Sequence, residues 1–135
     1  MIEDIKKQLD MIPGERLPKE EFVEQFKLRT KKLALDVIIF SQSLPKTEEA
    51  TIMKRQLLRS ATSVAANYRA ACRARSAAEF YAKLSICVEE ADETLFWLEL
   101  MTESGSTPLS TVQAIITETT EILSILAKAR KNTSK

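Results

Sequence analysis

The chain has 135 residues, of which 44% are hydrophobic, and a formal net charge of +1 from 20 basic and 19 acidic side chains. This length fits one domain with a substantial core, and the balanced charge excludes a strong overall field that would hold a polyanion. The sequence contains no histidine and has glycine only at Gly14 and Gly105, which excludes a glycine-rich phosphate-binding loop.

Residues 1–20 form a segment of their own, and "PGERLP" separates its short helical pattern from the rest. The apolar side of this short helix would consist of Ile2, Ile5, Leu9 and Ile12. We therefore predict an N-terminal arm over 1–20 and a bundle domain over 21–132. Because the chain shows neither a signal-peptide pattern nor about 18 consecutive apolar residues, we expect a soluble cytoplasmic protein that has no membrane partner.

The first long helix is predicted from about Glu21 to Ser43, before Pro45, because apolar residues recur there every three or four positions. Its apolar stripe consists of Phe22, Phe26, Leu33, Val37, Phe40 and Leu44. The second helix is predicted to begin near Thr47, which can cap it, and "TEEA" places acidic residues in its first turn. Its apolar stripe consists of Leu57, Ala61, Val64, Ala65, Tyr68 and Cys72.

Two further helices complete the pattern. "SAAE" at Ser76 to Glu79 has the form of a capping box, so the third helix follows the second after a very short turn and ends at Gly105. The fourth helix opens at "STP", with Thr107 as the predicted cap and Pro108 in the first turn. Short loops between long amphipathic helices, with no strand-type alternation, predict an all-α, up-down-up-down four-helix bundle.

The outward side of the second helix is rich in arginine, opposite its apolar stripe. The four arginines there are Arg55, Arg59, Arg69 and Arg73. Beside them lies a strip of small and polar residues, including Asn67, that would allow another helix to approach closely. Three interpretations stay open: a solvated charged face, a set of nucleic-acid contacts through phosphate, or a charged seam within or between subunits.

The third helix favours the seam. Its outward side mixes large apolar residues with acids, and such a side is not typical of a solvated face. These residues are Ile86, Phe96, Trp97 and Leu100 with Glu89, Glu90 and Glu93. Residues 46–75 carry a net charge of +5 and residues 76–105 a net charge of −6. A turn at 75/76 places Arg59 level with Asp92 and near Glu93, and these acids would compete with phosphate for the arginines.

Catalysis and cofactor binding have little support in the sequence. Without histidine there is no Glu-x-x-His metal ligand pair and no histidine acid or base. "EEADE" at 89–93 could bind a hard cation, but helical spacing divides its carboxylates between faces, which favours pairing with the arginines. Cys72 and Cys87 lack CxxC spacing and are expected to be free, packed thiols. We predict no enzymatic activity, no metal and no cofactor.

Residues 56–100 closely resemble the bacterial four-helix-bundle family whose founding members are encoded in intervening sequences of large-subunit ribosomal RNA genes. The matching motifs are "RSATSVAAN" at 59–67, "ARSAAEF" at 74–80 and "EADETLFWLEL" at 90–100, with "LPKT" at 44–47 before the second helix. The same family includes the accessory variability protein of diversity-generating retroelements. The likeness extends over about residues 22–130.

The resemblance implies a left-handed bundle that assembles into a ring-like homopentamer, usually without enzymatic activity. In the retroelement branch it implies binding to a reverse transcriptase and RNA through a basic surface. The near-neutral charge of this chain favours the first function, a homo-oligomerising assembly or scaffold module. The alternative is a nucleic-acid-binding accessory protein of a retroelement, with the four arginines of the second helix as its candidate nucleic-acid contacts.

Overall fold

A computed structural model describes residues 19–133, and these residues form four α-helices. The helices are α1 (Lys19–Ser41), α2 (Glu48–Ala71), α3 (Ala77–Glu103) and α4 (Leu109–Lys131). The described part of the chain contains no β-strand, so the protein is all-α as predicted. Most of the predicted arm, together with its four apolar residues, lies outside the described residues.

Each helix packs against the helices that precede and follow it in the chain, and α1 also contacts α4, which closes the ring of four. The largest contact joins α2 to α3 and the smallest joins α1 to α4. Among the described residues, no Cα atom of α1 lies within 8 Å of a Cα atom of α3, and the same holds for α2 and α4. This is the antiparallel four-helix bundle that the short loops predicted.

The caps of α2 and α3 follow from their first residues. The Thr47 side chain accepts a hydrogen bond from the backbone of Ala50 at 3.2 Å, and the Ser76 side chain accepts one from Glu79 at 3.0 Å. These bonds satisfy backbone donors that a helix start otherwise leaves unpaired. Both predicted caps are confirmed. The Glu79 carboxylate accepts a hydrogen bond from the backbone of Arg75 at 3.3 Å. In a standard capping box the donor is the backbone of the cap residue, here Ser76, so the observed bond involves the residue before it.

The turn between α3 and α4 confirms one prediction and corrects another. Gly105 has a φ of 82°, and its amide donates to Thr102 while the amide of Ser106 donates to Met101, an end that favours glycine. The predicted cap at Thr107 is wrong. The capping position of α4 is occupied by Pro108, which makes no side-chain cap bond. Thr107 does not cap the helix because the tight turn buries it in the protein interior.

The core lies along the bundle axis and includes residues of the apolar stripes predicted for the first two helices. Its largest fully buried side chains are Tyr68, Phe80, Leu33, Leu57, Leu84, Leu98, Met101, Ile122, Leu126, Val37 and Val64. Small residues line the α2–α3 contact, where Ser60 and Thr94 are fully buried and their hydroxyls hydrogen bond at 2.9 Å. The two helices can approach closely there because neither presents a bulky side chain at that level. None of the described helices is long and apolar enough to cross a membrane.

Tyr68 is the largest buried side chain, and its ring meets the edge of the Phe26 ring at 4.8 Å between centroids. Its hydroxyl is buried and has no hydrogen-bond partner among residues 19–133. Burial, with a smaller effect of the nearby Cys72 thiol, raises the pKa of Tyr68 well above its ordinary value. A buried donor that lacks an acceptor reduces the stability of the folded state.

We therefore expect Tyr68→Phe to raise the free energy of unfolding by about 1 kcal/mol, because the substitution removes the unpaired hydroxyl and keeps the ring. Urea unfolding followed by circular dichroism measures this change. Tyr68→Ala is the matched comparison and should cost about 3–5 kcal/mol through the cavity it creates. A clear loss of stability in Tyr68→Phe would show that the hydroxyl is bonded.

Candidate interaction surfaces

Arg59 links α2 to α3 on the surface of the bundle. Its guanidinium donates to Glu90, with the shortest distance at 3.1 Å, and to Glu93. These bonds, the one to Glu93 first among them, raise the pKa of Arg59. The prediction that Arg59 lies near Glu93 is confirmed. The sequence also placed Asp92 level with Arg59, but the second acid that Arg59 binds is Glu90, which lies one helical turn from Glu93 on the side facing α2.

Glu93 extends this link to the aromatic residues of α3. The indole of Trp97 donates to the Glu93 carboxylate at 3.0 Å, and the rings of Phe96 and Trp97 meet edge to face at 4.9 Å. The hydrogen bond from Trp97, and next the one from Arg59, lower the pKa of Glu93. One carboxylate thus fixes both an arginine from α2 and an indole from α3.

The lowered pKa of Glu93 gives a stabilising effect that is present at neutral pH and is lost as the pH falls through the folded-state pKa. We expect Glu93→Gln to cost about 0.5 kcal/mol at pH 7, because the carboxylate is partly exposed and screened. The difference between the variant and the wild type should shrink as the pH falls through the folded-state pKa of Glu93, because the wild-type carboxylate then becomes protonated. Thermal melts across this range measure the difference.

A cost of Glu93→Gln that is constant from pH 7 to pH 3 would contradict the assignment of this carboxylate to the Arg59–Trp97 link.

The outward side of α3 carries exposed apolar surface, which we call the α3 face. Phe96 is 51% exposed, Leu100 37% and Ile86 36%, while Trp97 packs partly against the core. The exposed acid Glu89 lies within this face by helical register. The sequence-predicted residues of α3 are therefore brought together on one side of the helix.

The remaining residues predicted on α2 are not drawn into this link. Arg55, Arg69 and Arg73 are exposed and form no ion pair with any residue of the described range 19–133. The Asn67 side chain donates to the Ser63 carbonyl at 3.0 Å and to the Ser63 hydroxyl at 2.9 Å, so its amide is used within its own helix. The arginines of α2 thus divide into one that is paired and three that are not.

A second exposed apolar surface was missed in the sequence. At the C-terminal end of α1 and the N-terminal end of α2, Leu35 is 50% exposed, Ile39 65% and Ile52 53%, and Ile38 lies beside them at 38%. We call this set the α1–α2 face. The sequence did contain a sign of this surface, because several apolar residues of the first helix fall outside its core stripe. They make the apolar side of the helix wider than packing against a single core requires.

A charged contact between α1 and α4 was also missed. The Arg29 guanidinium donates to both oxygens of Glu118, at 2.6 and 2.8 Å, and lies 3.3 Å from Glu121. The hydrogen bond to Glu118 is the main cause that raises the pKa of Arg29. These residues are about 90 positions apart in the chain, so no local spacing rule would pair them.

The two thiols and the acidic cluster add no chemistry to these surfaces. Cys87 is fully buried, and burial raises the pKa of its thiol to about 12. Cys72 is partly buried with a raised pKa from the same cause, and both cysteines are free. In the part of the chain that the structure describes, no group of three or more carboxylates, thiols or imidazoles could hold a metal ion.

These features define the class of the protein as an antiparallel four-helix bundle with a charged link across its central hairpin and two exposed apolar faces. Residues 25–128 match the family model of the 23S rRNA-intervening sequence protein. The chain therefore belongs to the 23S rRNA-intervening sequence protein family, as the motifs of residues 56–100 indicated.

A solved structure supports the same assignment. A crystal structure of a protein of unknown function, from the S23 ribosomal protein family of Bacteroides thetaiotaomicron VPI-5482, is 33% identical to this chain with a TM-score of 0.73. The match covers 78% of this chain and 98% of that one. No curated protein matches the sequence. Neither the family description nor the neighbour's assigns a catalytic activity.

Proposed function

We propose that this protein is a non-catalytic scaffold module that assembles with copies of itself into a ring of five. The observation that carries this proposal is the presence of two separate exposed apolar faces on one small bundle. Isolated exposed apolar residues are normal on protein surfaces, but clustered large ones mark sites of association. Aromatic residues and arginine are enriched at the centres of such interfaces.

The positions of the faces favour a head-to-tail contact. The α3 face lies on one helix, and the α1–α2 face centres on α1, which lies diagonally across the bundle from α3. The two faces therefore point in different directions. When one face of a copy binds the other face of the next copy, the contacts generate a closed ring or a filament. Five copies is the number that the family resemblance implies.

Charge disfavours a contact between two α3 faces. The α3 face is flanked by the exposed acids Glu89, Asp92 and Glu99. The α1–α2 face is flanked by the exposed bases Lys31 and Arg55 and by the exposed acids Glu48 and Glu49. Two α3 faces in contact would bring like charges together, whereas an α1–α2 face offers bases to the acids of the α3 face.

Light scattering on a size-exclusion column tests the assembly directly. Five chains of 15.2 kDa give a particle of about 76 kDa, and we expect this mass at tens of micromolar protein. Native mass spectrometry of the same sample gives the number of copies independently. A single species at the mass of one chain would refute the scaffold proposal.

A second candidate function is that of a nucleic-acid-binding accessory protein, which in a retroelement would partner a reverse transcriptase. The observation that favours it is the set of unpaired, exposed arginines on α2, namely Arg55, Arg69 and Arg73. Binding to single-stranded RNA should then weaken steeply with added salt and weaken further when these arginines become glutamine. An affinity for RNA that stays the same when salt is added and when these arginines are replaced would contradict this function.

A further inference from the structure

A cleft of about 510 Å³ opens between the N-terminal half of α1 and the C-terminal half of α2. Lys27 and Lys31 line it from α1, and Arg69 and Arg73 line it from α2. Small side chains of α2, Ala65 and Ala66 among them, with Leu28 from α1, complete the walls. The volume is that of a site for a small molecule.

Three of the four cations of this cleft lack a carboxylate partner. Lys31, Arg69 and Arg73 form no ion pair with any residue between 19 and 133. Lys27 contacts Glu24 at 2.5 Å, and Glu24 is the one acid among the described lining residues. The described lining therefore has four cations and one carboxylate, a net charge of +3.

The spacing of these cations makes the unbalanced charge unfavourable for the free protein. Lys27 and Lys31 are four residues apart on α1, so they lie on one side of that helix and repel each other. Arg69 lies in the last turn of α2, and Arg73 lies in the turn that follows this helix. Both arginines line the opposite wall of the same cleft. An anion that bears several closely spaced charges would offset the repulsion among these cations.

We infer that this cleft is a binding site for a compact oligophosphate anion. The planar guanidinium groups of Arg69 and Arg73 can each hold two phosphate oxygens, and the two lysines supply point charges from the opposite wall. None of the described lining residues is aromatic, so the cleft offers no ring on which a base could stack. The site therefore recognises the charge and the spacing of the phosphate groups, and a nucleoside attached to the phosphates adds little to the binding affinity.

Titration calorimetry with sodium tripolyphosphate on the full-length protein tests this site. We expect one tripolyphosphate per chain, and we expect adenosine triphosphate to bind within about threefold of tripolyphosphate. Arg69→Gln combined with Arg73→Gln should weaken binding at least about tenfold, because it removes the guanidinium wall. Arg75→Gln combined with Lys128→Gln removes the same charge outside the cleft and outside both apolar faces, and it should change the affinity less than about twofold.

Glu24→Gln gives a change in the opposite direction, which a damaged fold could not produce. Removing the only lining carboxylate should tighten tripolyphosphate binding by about threefold. Light scattering of each sample records the assembly state, so a failed ring and a failed anion site are told apart.

Three results would overturn the site. They are the absence of binding heat with tripolyphosphate at about millimolar concentration, equal losses in the cleft and control variants, and binding of citrate as tight as that of tripolyphosphate. If RNA binds the protein while tripolyphosphate neither binds nor competes, the cleft assignment is wrong and the arginines serve nucleic acid.

Discussion

Phe96→Asp is expected to reduce the assembled protein to single chains of 15.2 kDa in light scattering. Phe96 is the most exposed apolar residue of the α3 face, and a carboxylate in its place would be buried without a partner in every contact of the ring. Leaving a charge unpaired in an interface costs about 3 kcal/mol or more. Leu35→Asp in the α1–α2 face should have the same effect from the other side of the contact.

Mixing these two variants distinguishes a head-to-tail contact from a symmetric one. A Phe96→Asp chain keeps its α1–α2 face and a Leu35→Asp chain keeps its α3 face, so one chain of each can form one intact contact. We expect a mixed dimer of about 30 kDa and nothing larger. A contact between identical faces would show no such mixed species.

Ser124→Asp is the control, because it places the same charge at an exposed position of α4, outside both faces. Its mass should equal that of the wild type, and circular dichroism should show all three variants to be folded. Wild-type mass in both Phe96→Asp and Leu35→Asp would refute the assignment of the two faces.

Arg29→Met should lower the free energy of unfolding by about 2 kcal/mol, a larger change than those expected for Tyr68→Phe and Glu93→Gln. The substitution keeps most of the side-chain volume and removes a half-buried guanidinium that makes a two-point contact with Glu118. The Glu118 and Glu121 carboxylates then lie close together on α4 without the positive charge between them. Urea unfolding measures the loss.

Lys32→Met on the same helix is the matched control. Lys32 contacts Asp36 at 2.8 Å in an exposed pair four residues apart, and solvent screens such a pair, so the loss of stability should be much smaller than in Arg29→Met. Adding Glu118→Gln to Arg29→Met should recover part of the lost stability, because it removes one of the stranded charges. Equal effects of Arg29→Met and Lys32→Met would show that the α1–α4 contact contributes no more than a surface pair.

The sequence predicted the helices well because the information needed for them is local. Apolar spacing, the caps at Thr47 and Ser76 and the glycine at Gly105 each depend on a few neighbouring residues, and all of them are found in the structure. The cap predicted at Thr107 is wrong because the position of this residue depends on contacts beyond its neighbours in the chain. Its direction is set by how the α3–α4 turn packs on the bundle, which a local rule does not contain.

The candidate surfaces could be predicted only in part. The aromatic and acidic side of α3 was visible because apolar and charged residues alternate there within one helix. The cleft was not, because it needs Lys27 and Lys31 from α1 beside Arg69 and Arg73 from α2. Which pair of helix sides lines a groove depends on how each helix is rotated about its axis, and amphipathic spacing fixes that rotation only approximately.

The unequal contacts around the ring of helices also set the order in which the native bundle opens. The α2–α3 hairpin shares the most extensive contact and is joined by a connection of only five residues, 72–76, whereas the contact that closes the ring between α1 and α4 is the smallest. Either terminal helix can therefore separate while the hairpin stays folded. Amide protons of the hairpin interior should exchange with solvent only through global unfolding, and those of α1 and α4 through smaller openings. Because the hairpin is built from contacts close in sequence, it is also the natural folding nucleus.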